Sequence, residues 1–268
     1  MNRIETLLAV GPRVVRWVLS GPVASLAVTG TLSAQPVAEP SKAVTPGLVL
    51  GTKPAETLAR LLASQGLVAA AVGECDLAFG LETLESLARE AAFPILAANL
   101  TTKGGRRPFR GAAVVPCGGN RIAFIALASP SLSIQALHPA LRLEPPAKAL
   151  TRELAAVRGR VGHVVLLAHL PAAEAEALVR KVRGVDVAIL GHGAGRTREP
   201  RRVGKTLVVG SDVRGRELGE LTLVSGPGGP VWKHRLIALT PSLGEDPAVA
   251  AVVERVHREQ PPAAPARD

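Results

Sequence analysis

Residues 69–100 read AAAVGECDLAFGLETLESLAREAAFPILAANL, and this stretch decides the fold. The uninterrupted apolar run that ends at Val72 is typical of a strand covered on both faces of a sheet. A turn follows, then apolar residues at helical spacing over 81–92 and a short apolar run over 94–98. This order of strand, turn, helix and strand predicts an α/β domain. In such domains the turn after a strand is where ligands bind.

The alternation of strand and helix continues along the chain and then stops. Apolar runs over 163–168 and 185–190 predict buried strands, with a helix between them over 171–182. After residue 207 three further strand candidates follow with little helix between them. We therefore predict an α/β fold in which mixed β-sheets are sandwiched between helices, rather than a purely parallel doubly wound sheet.

Both ends of the chain differ from this domain in composition. Residues 1–34 carry basic residues, then an apolar run, then small residues, which is the order of a signal peptide; the alternative is an N-terminal extension. Residues 35–46 are rich in proline and small residues and predict a linker, and residues 260–268 predict a disordered tail. The domain is expected over 47–259. It would be periplasmic or secreted if the first segment is a signal peptide, and otherwise cytoplasmic.

The composition narrows the functions that the domain can have. Aromatic residues make up 2% of the chain, which argues against a surface that stacks the bases of single-stranded nucleic acid. The formal net charge of +10 is either a compositional bias or a field that attracts anions. No specific nucleic-acid motif accompanies it, and we expect no transmembrane segment in the mature domain. Cys75 and Cys117 could pair, but nothing in their spacing requires a disulfide.

One basic cluster is local in the sequence. It comprises Arg196, Arg198, Arg201, Arg202 and Lys205. These residues form either a solvated loop or an anion-binding site, because guanidinium groups offer forked donors to phosphate or carboxylate oxygens. The cluster begins four residues after His192, so we expect it to lie beside any site that contains this histidine. Its partner would be a small anionic ligand or a phosphate ester.

Two histidines end apolar strands. His169 closes the run VVLLAH, and His192 closes VDVAILGH. We expect the two rings to approach each other beyond the strand ends, where neutral imidazoles could hold a divalent transition metal. The turn after the first strand adds Glu74 and Cys75, which are either ligands or simple caps. Asp76 in the same turn is expected to accept a hydrogen bond from a backbone N–H group.

Taken in order, four stretches resemble the 5'-nucleotidase branch of the calcineurin-like metallophosphoesterases. Residues 69–100 resemble its G-N-H-E-x-D-x-G and F-P-x-L-x-A-N motifs, and residues 164–195 resemble its histidine-ended strand and G-H-x-H motif. Residues 207–223 and 236–256 resemble the strand pair and the helix that follow. The matching residues are Gly73, Asp76, Gly80, Phe93, Pro94, Ala98, Asn99, His169, Asp186, Gly191 and His192. The resemblance implies a four-layer fold and an ancestry in phosphoric-ester hydrolysis.

The same resemblance shows where this sequence departs from the family. The Asp-x-His and Gly-Asp motifs, whose acids help to hold two metal ions, have no counterpart, and the first strand of the fold is without a match. Glu74 stands at the place of an asparagine ligand, Cys75 at that of the catalytic histidine, and Ala194 at that of the second histidine of G-H-x-H. His169 and His192 remain as metal ligands, with Glu74 as a candidate third.

These departures leave three functions open. The first is a degenerate metallophosphoesterase-like protein of weak or absent activity, because two-metal catalysis needs ligands on both ions. The second is an active hydrolase with a rebuilt site for one ion of Mn, Zn or Fe, held by His169, His192 and either Glu74 or Cys75. The third is a non-catalytic anion-binding module. The chain ends where the family's substrate-binding domain begins, so the resemblance implies no nucleotide specificity.

Overall fold

The computed structural model of the protein describes most of the chain between residues 14 and 259. The described residues are 14–19, 26–29, 52–64, 66–77, 80–117, 120–130, 134, 138–192, 199–210, 217–226, 229–240, 242–244 and 246–259. No helix among them is long and apolar enough to cross a membrane. The strand expected near residues 47–51 lies outside the described residues.

The described residues form fourteen strands and five helices. The strands are β1 (Val14–Leu19), β2 (Leu26–Thr29), β3 (Leu67–Ala71), β4 (Ile95–Leu96), β5 (Leu100–Thr102), β6 (Ala112–Cys117), β7 (Asn120–Ala128), β8 (Leu141–Leu143), β9 (His163–His169), β10 (Val187–Leu190), β11 (Arg201–Val203), β12 (Thr206–Val209), β13 (Glu217–Gly226) and β14 (Gly229–Ala238). The helices are α1 (Thr52–Ser64), α2 (Leu81–Glu90), α3 (Pro146–Val157), α4 (Ala172–Lys181) and α5 (Pro247–Glu259). A short 3₁₀ turn spans Cys75–Leu77.

The strands form two mixed sheets and one two-stranded ribbon. The first sheet has the order β14–β13–β1–β2–β3–β4, the second has the order β11–β12–β10–β9–β7–β6, and β5 pairs with β8. In the second sheet β7, β9, β10 and β12 run parallel, and β6 and β11 form antiparallel edges. In the first sheet β3 and β4 pair in parallel and the other pairs are antiparallel. The predicted mixed arrangement is confirmed.

The central strands of the second sheet are apolar on both faces. Residues 165–168 of β9 and all of β10 have no exposed surface. Buried strands of this kind need a covering layer on each side. On one side, β3 and β4 of the first sheet contact β7 of the second, while α1 packs on β3 and on α2. On the other side, α3 packs on β7, and α4 packs on β10. The layers are therefore helices, sheet, sheet and helices.

Three short strands differ from the sequence expectation. β5 and β8 are three residues each and were not predicted. β11 lies in the basic cluster, where a loop was expected, so the loop prediction is wrong over Arg201–Val203. The physical reason is the tight turn at Gly204, whose positive φ of 63° lets the chain fold back and pair β11 with β12.

Strands β1 and β2 come from the segment expected to be a signal peptide or an N-terminal extension. They occupy the centre of the first sheet, where β1 pairs with β13 and β2 pairs with β3. An apolar strand of this kind has the same composition as the apolar region of a signal peptide, so composition alone does not separate the two. Export of the protein stays a prediction.

Asn99 ties the ribbon to the second sheet at the end of β7. Its side-chain amide is fully buried and donates to the carbonyl oxygens of Ala128 (2.7 Å) and Glu144 (3.2 Å). Its Oδ1 accepts the backbone N–H of Ala128 at 3.0 Å. Buried polar groups of the backbone must be paired, so one side chain here satisfies three of them.

We expect Asn99→Ala to lower the free energy of unfolding by about 2–4 kcal/mol, because it leaves buried backbone groups without partners. Asn120→Ala is the matched control, since Asn120 is exposed at the start of β7 and should cost less than about 1 kcal/mol. Urea denaturation of both variants measures the difference. Equal losses in the two variants would show that Asn99 does not tie the ribbon to the sheet.

Candidate functional site

Three side chains meet where the two sheets end side by side. Glu74 lies in the turn after β3 of the first sheet, His169 is the last residue of β9 in the second sheet, and His192 lies two residues after β10. Their ligand atoms all lie within 4.8 Å of one another. The site therefore lies at the carboxyl ends of parallel strands, the place at which α/β sheets bind ligands.

The two histidines approach each other as the sequence predicted. Their ring centroids are 5.1 Å apart, and the ring planes are inclined at 75°. His169 Nε2 is hydrogen-bonded to Glu74 Oε2, and His192 Nδ1 lies 3.4 Å from Glu74 Oε1. One carboxylate thus faces two imidazoles, one through each of its oxygens.

The backbone holds each strand end in place. Ala128 and His169 are register partners of β7 and β9, and the N–H of Ser129 donates to the carbonyl oxygen of His169 at 3.0 Å. The N–H of Gly191, just before His192, donates to the carbonyl oxygen of Ala168 at 2.8 Å. His169 is therefore fixed by the parallel ladder itself, and His192 directly follows a residue that is hydrogen-bonded to that ladder.

The turn that carries Glu74 is closed by Asp76. The N–H of Gly73 donates to Asp76 Oδ2 at 2.7 Å, which confirms the expected hydrogen bond to the turn backbone. Leu77, at the end of the turn, has no exposed surface and packs in the apolar cluster under α2. Glu74 is thus displayed from a short segment that is anchored on both sides.

The environment of Glu74 favours its ionised form. Burial alone would raise the pKa of the carboxyl, but the hydrogen bond from His169 and the charge interactions with His169 and His192 outweigh it and lower the pKa from 4.5 to about 2. A carboxylate that is ionised at every pH near neutrality is an available anionic ligand.

His169 is completely buried, and only one of its two ring nitrogens is hydrogen-bonded. Nδ1 has no hydrogen-bond partner among the described residues. Such an atom is costly in a folded protein and calls for a physical explanation. A histidine that serves only as part of the hydrophobic core is expected to be fully hydrogen-bonded, and His169 is not.

The three residues fit a single divalent transition metal ion. Two imidazoles and one carboxylate form a ligand set found in catalytic zinc sites, where a fourth position is left for water or substrate. Ligand atoms with bonds of about 2.0–2.1 Å to a tetrahedral ion lie about 3.4 Å apart. The 3.4 Å between His192 Nδ1 and Glu74 Oε1 matches this spacing, whereas the direct hydrogen bond between His169 Nε2 and Glu74 Oε2 would have to open for an ion to bind.

The described part of the chain does not fit two ions. It contains one group of three or more ligand-type side chains with donor atoms this close, namely Glu74, His169 and His192. A two-metal phosphoesterase needs ligands for both ions, which lie about 3.5–4 Å apart. At the place of the family's second G-H-x-H histidine the sequence has Ala194, which offers no ligand atom.

The structure describes only part of the basic cluster. Arg196 and Arg198 lie outside the described residues, as does the side chain of Cys75. Arg201 makes an ion pair of 2.5 Å with Glu176 of α4, and Arg202 is exposed on β11. Part of the cluster therefore binds a carboxylate of the protein itself, and anion binding by these arginines stays a prediction.

Cys117, at the end of β6, is a buried thiol, and burial raises its pKa. Glu176, the ion-pair partner of Arg201, was not predicted from the sequence because it belongs to no motif. The one signal for Glu176 was its position four residues before Arg180 on α4, where the two side chains form an ion pair of 3.6 Å.

Comparison with known proteins supports the fold. No family model matches the sequence, and no curated protein matches it. Among solved structures, the sulfate thiohydrolase SoxB of Thermus thermophilus in complex with glycerol aligns with a TM-score of 0.68 and 22% identity, over 76% of this chain and 39% of that one. A 5'-nucleotidase precursor, also from Thermus thermophilus, aligns with a TM-score of 0.62 and 20% identity, over 76% and 45%. The calcineurin-like phosphoesterase YfkN from Bacillus subtilis has a TM-score of 0.62 and 17% identity, over 76% and 73%.

The chain therefore has the metallophosphoesterase fold of the 5'-nucleotidase type, as its motifs implied. It spans less than half the length of the first two of these structures, with 39% and 45% of each chain covered, and 73% of the third. Identities of 17–22% in these three pairs make the fold the shared property.

The lowered pKa of Glu74 predicts a specific pH dependence of stability. The carboxyl group binds its proton less tightly in the folded protein, with a pKa of about 2 against 4.5. Its stabilising contribution is thus complete above about pH 5 and is lost as the pH falls towards 2. We expect the difference in Tm between wild type and Glu74→Gln to shrink over this range.

Thermal unfolding between pH 7 and pH 3 measures this difference, with Glu82→Gln as the control because Glu82 is an exposed carboxylate of α2. A Tm difference for Glu74→Gln that stays constant over the whole range would contradict the ionised contact.

Proposed function

We propose that this protein is a metallophosphoesterase-fold protein that binds one divalent transition metal ion through Glu74, His169 and His192, and that it hydrolyses phosphate esters weakly or not at all. The observation that carries the proposal is the convergence of one ionised carboxylate and two imidazoles in the described residues. Carboxylate and imidazole ligands suit zinc, manganese and iron. The neighbours named above support hydrolase ancestry.

The division of roles among the three side chains follows from their burial. His169 is fully buried and fixed by the β-ladder, so it would define the position of the ion. Glu74 would supply the negative charge. The side chain of His192 is 32% exposed, which leaves its edge of the site open to solvent and to a ligand. When bound, the ion would polarise a phosphoryl oxygen or lower the pKa of a water molecule.

Weak hydrolysis follows from the ligand count. In a two-metal phosphoesterase, ions on both sides of the reacting group stabilise the attacking and the leaving oxygen. Glu74, His169 and His192 serve one ion, so one of these two stabilising interactions is lost. A small anionic ligand or a phosphate ester is nevertheless the expected partner, because a divalent ion held by one carboxylate keeps a positive charge.

The first test is the stoichiometry of metal binding. Titration of the metal-free protein with Zn²⁺ should show one site per chain, and His192→Ala should weaken binding at least tenfold because it removes one of three protein ligands. His138→Ala is the control, since His138 is a histidine outside the group. Unchanged affinity in His192→Ala would rule out this site.

The second test is turnover of a phosphomonoester and a phosphodiester with Mn²⁺, Zn²⁺ or Co²⁺. We expect rates close to those of the free metal ions. Robust turnover that is abolished by His192→Ala would overturn the expectation of weak activity and would favour a hydrolase with a rebuilt one-metal site. Robust turnover that survives this substitution would place the activity elsewhere.

A further inference from the structure

Glu74 differs from the two histidines in how it is held. His169 is the last residue of β9, and His192 directly follows Gly191, whose N–H donates to the carbonyl oxygen of Ala168, whereas Glu74 lies in a turn three residues beyond the end of β3. Hydrogen bonds of a β-ladder do not fix a residue in such a turn. Something else must fix the carboxylate if it is to meet two ligands whose positions are set by the second sheet.

Among the described side chains of the turn, that of Asp76 is suited to this task. The hydrogen bond of 2.7 Å from the Gly73 N–H to Asp76 Oδ2 spans Glu74, because it joins the residue before Glu74 to a residue two positions after it. Asp76 is half-buried, and the following Leu77 is fully buried. The bond therefore closes the backbone around Glu74 and ties it to a side chain that cannot move freely.

Val72 completes the anchor on the other side of the turn. It is buried, and its N–H donates to the carbonyl oxygen of Leu96 at 3.0 Å, which extends the parallel pairing of β3 with β4 by one residue. The free part of the chain between Val72 and Asp76 is thus three residues long, and Glu74 is its centre. Without the Asp76 contact the first fixed point after Val72 would be Leu77.

We propose that Asp76 is a positioning residue of the metal site, which sets metal affinity by holding the backbone of Glu74 while making no contact with the ion. This inference rests on the proposed function of Glu74, His169 and His192. Residues behind the ligands of a metal site commonly change metal affinity by about 10–100-fold when they are replaced. Because Asp76 acts through the backbone and not through the ligand atom, we expect the lower end of that range.

The experiment is a calorimetric titration of Zn²⁺ into the metal-free full chain, with Co²⁺ absorption as a second readout of the ligand geometry. We expect Asp76→Ala to weaken Zn²⁺ binding about tenfold and to alter the Co²⁺ spectrum. Asp76→Asn should stay within about threefold of wild type, because its Oδ1 can still accept the Gly73 N–H. Glu82→Ala removes a nearby exposed carboxylate and controls for the general loss of negative charge.

A double-mutant cycle separates positioning from any other effect. In a Glu74→Gln background, Asp76→Ala should change Zn²⁺ affinity by less than about twofold, because the ligand that it positions has already been lost. The same tenfold loss in both backgrounds would overturn the inference. Wild-type affinity in Asp76→Ala, with weakened binding in Glu74→Gln, would also overturn it while leaving the metal site in place. Wild-type affinity in Glu74→Gln would instead contradict the proposed site itself.

Discussion

The parallel pairing of β9 with both β7 and β10 is the constraint on which the candidate site depends. The three strands end at nearly the same level along the sheet, as shown by the register partners Ala128↔His169 and Leu190↔Ala168. Successive side chains of a strand point to opposite faces of a sheet, so a slip of one residue would turn His169 away from Glu74. The backbone pairing of β9 with β7 and β10 holds this register and thereby determines where the two histidines stand.

The third ligand comes from the other sheet, which makes the site sensitive to how the two sheets pack. Contacts of β3 and β4 with β7 bring the turn after β3 to the edge where His169 lies. The ionised Glu74 is costly to bury unless it is paired, and the imidazole of His169 supplies the pairing. Glu74 thus stands beside two imidazoles, in a group of three side chains that could hold a metal ion.

The sequence predicted the long elements and the two histidines, because each depends on a local pattern. β9 and β10 are apolar runs that end in histidine, and the Asp76 cap follows from its position in a turn. The short strands β5 and β8 were missed because three residues carry no periodicity, and their pairing is decided by contacts some forty residues apart in the sequence.

Two properties of the site could not be predicted, because they arise from long-range contacts. Whether Glu74 is a ligand or a simple cap depends on its contact with His169. The two residues are 95 positions apart in the sequence, and only the packing of the two sheets brings them together. Arg201 was expected either in a solvated loop or in an anion-binding site, and its ion pair with Glu176 of α4 joins elements that no motif connects. The charge of a residue is readable from sequence, whereas its partner is set by the fold.

The central claim is that this fold carries one metal ion, bound by Glu74, His169 and His192. Crystals of the zinc-loaded protein, measured at wavelengths above and below the zinc absorption edge, test it most directly. The account predicts one anomalous peak per chain, at bonding distance from one oxygen of Glu74 and one nitrogen of each histidine. A pair of peaks about 3.5–4 Å apart, or a single peak bound by other residues, would contradict it.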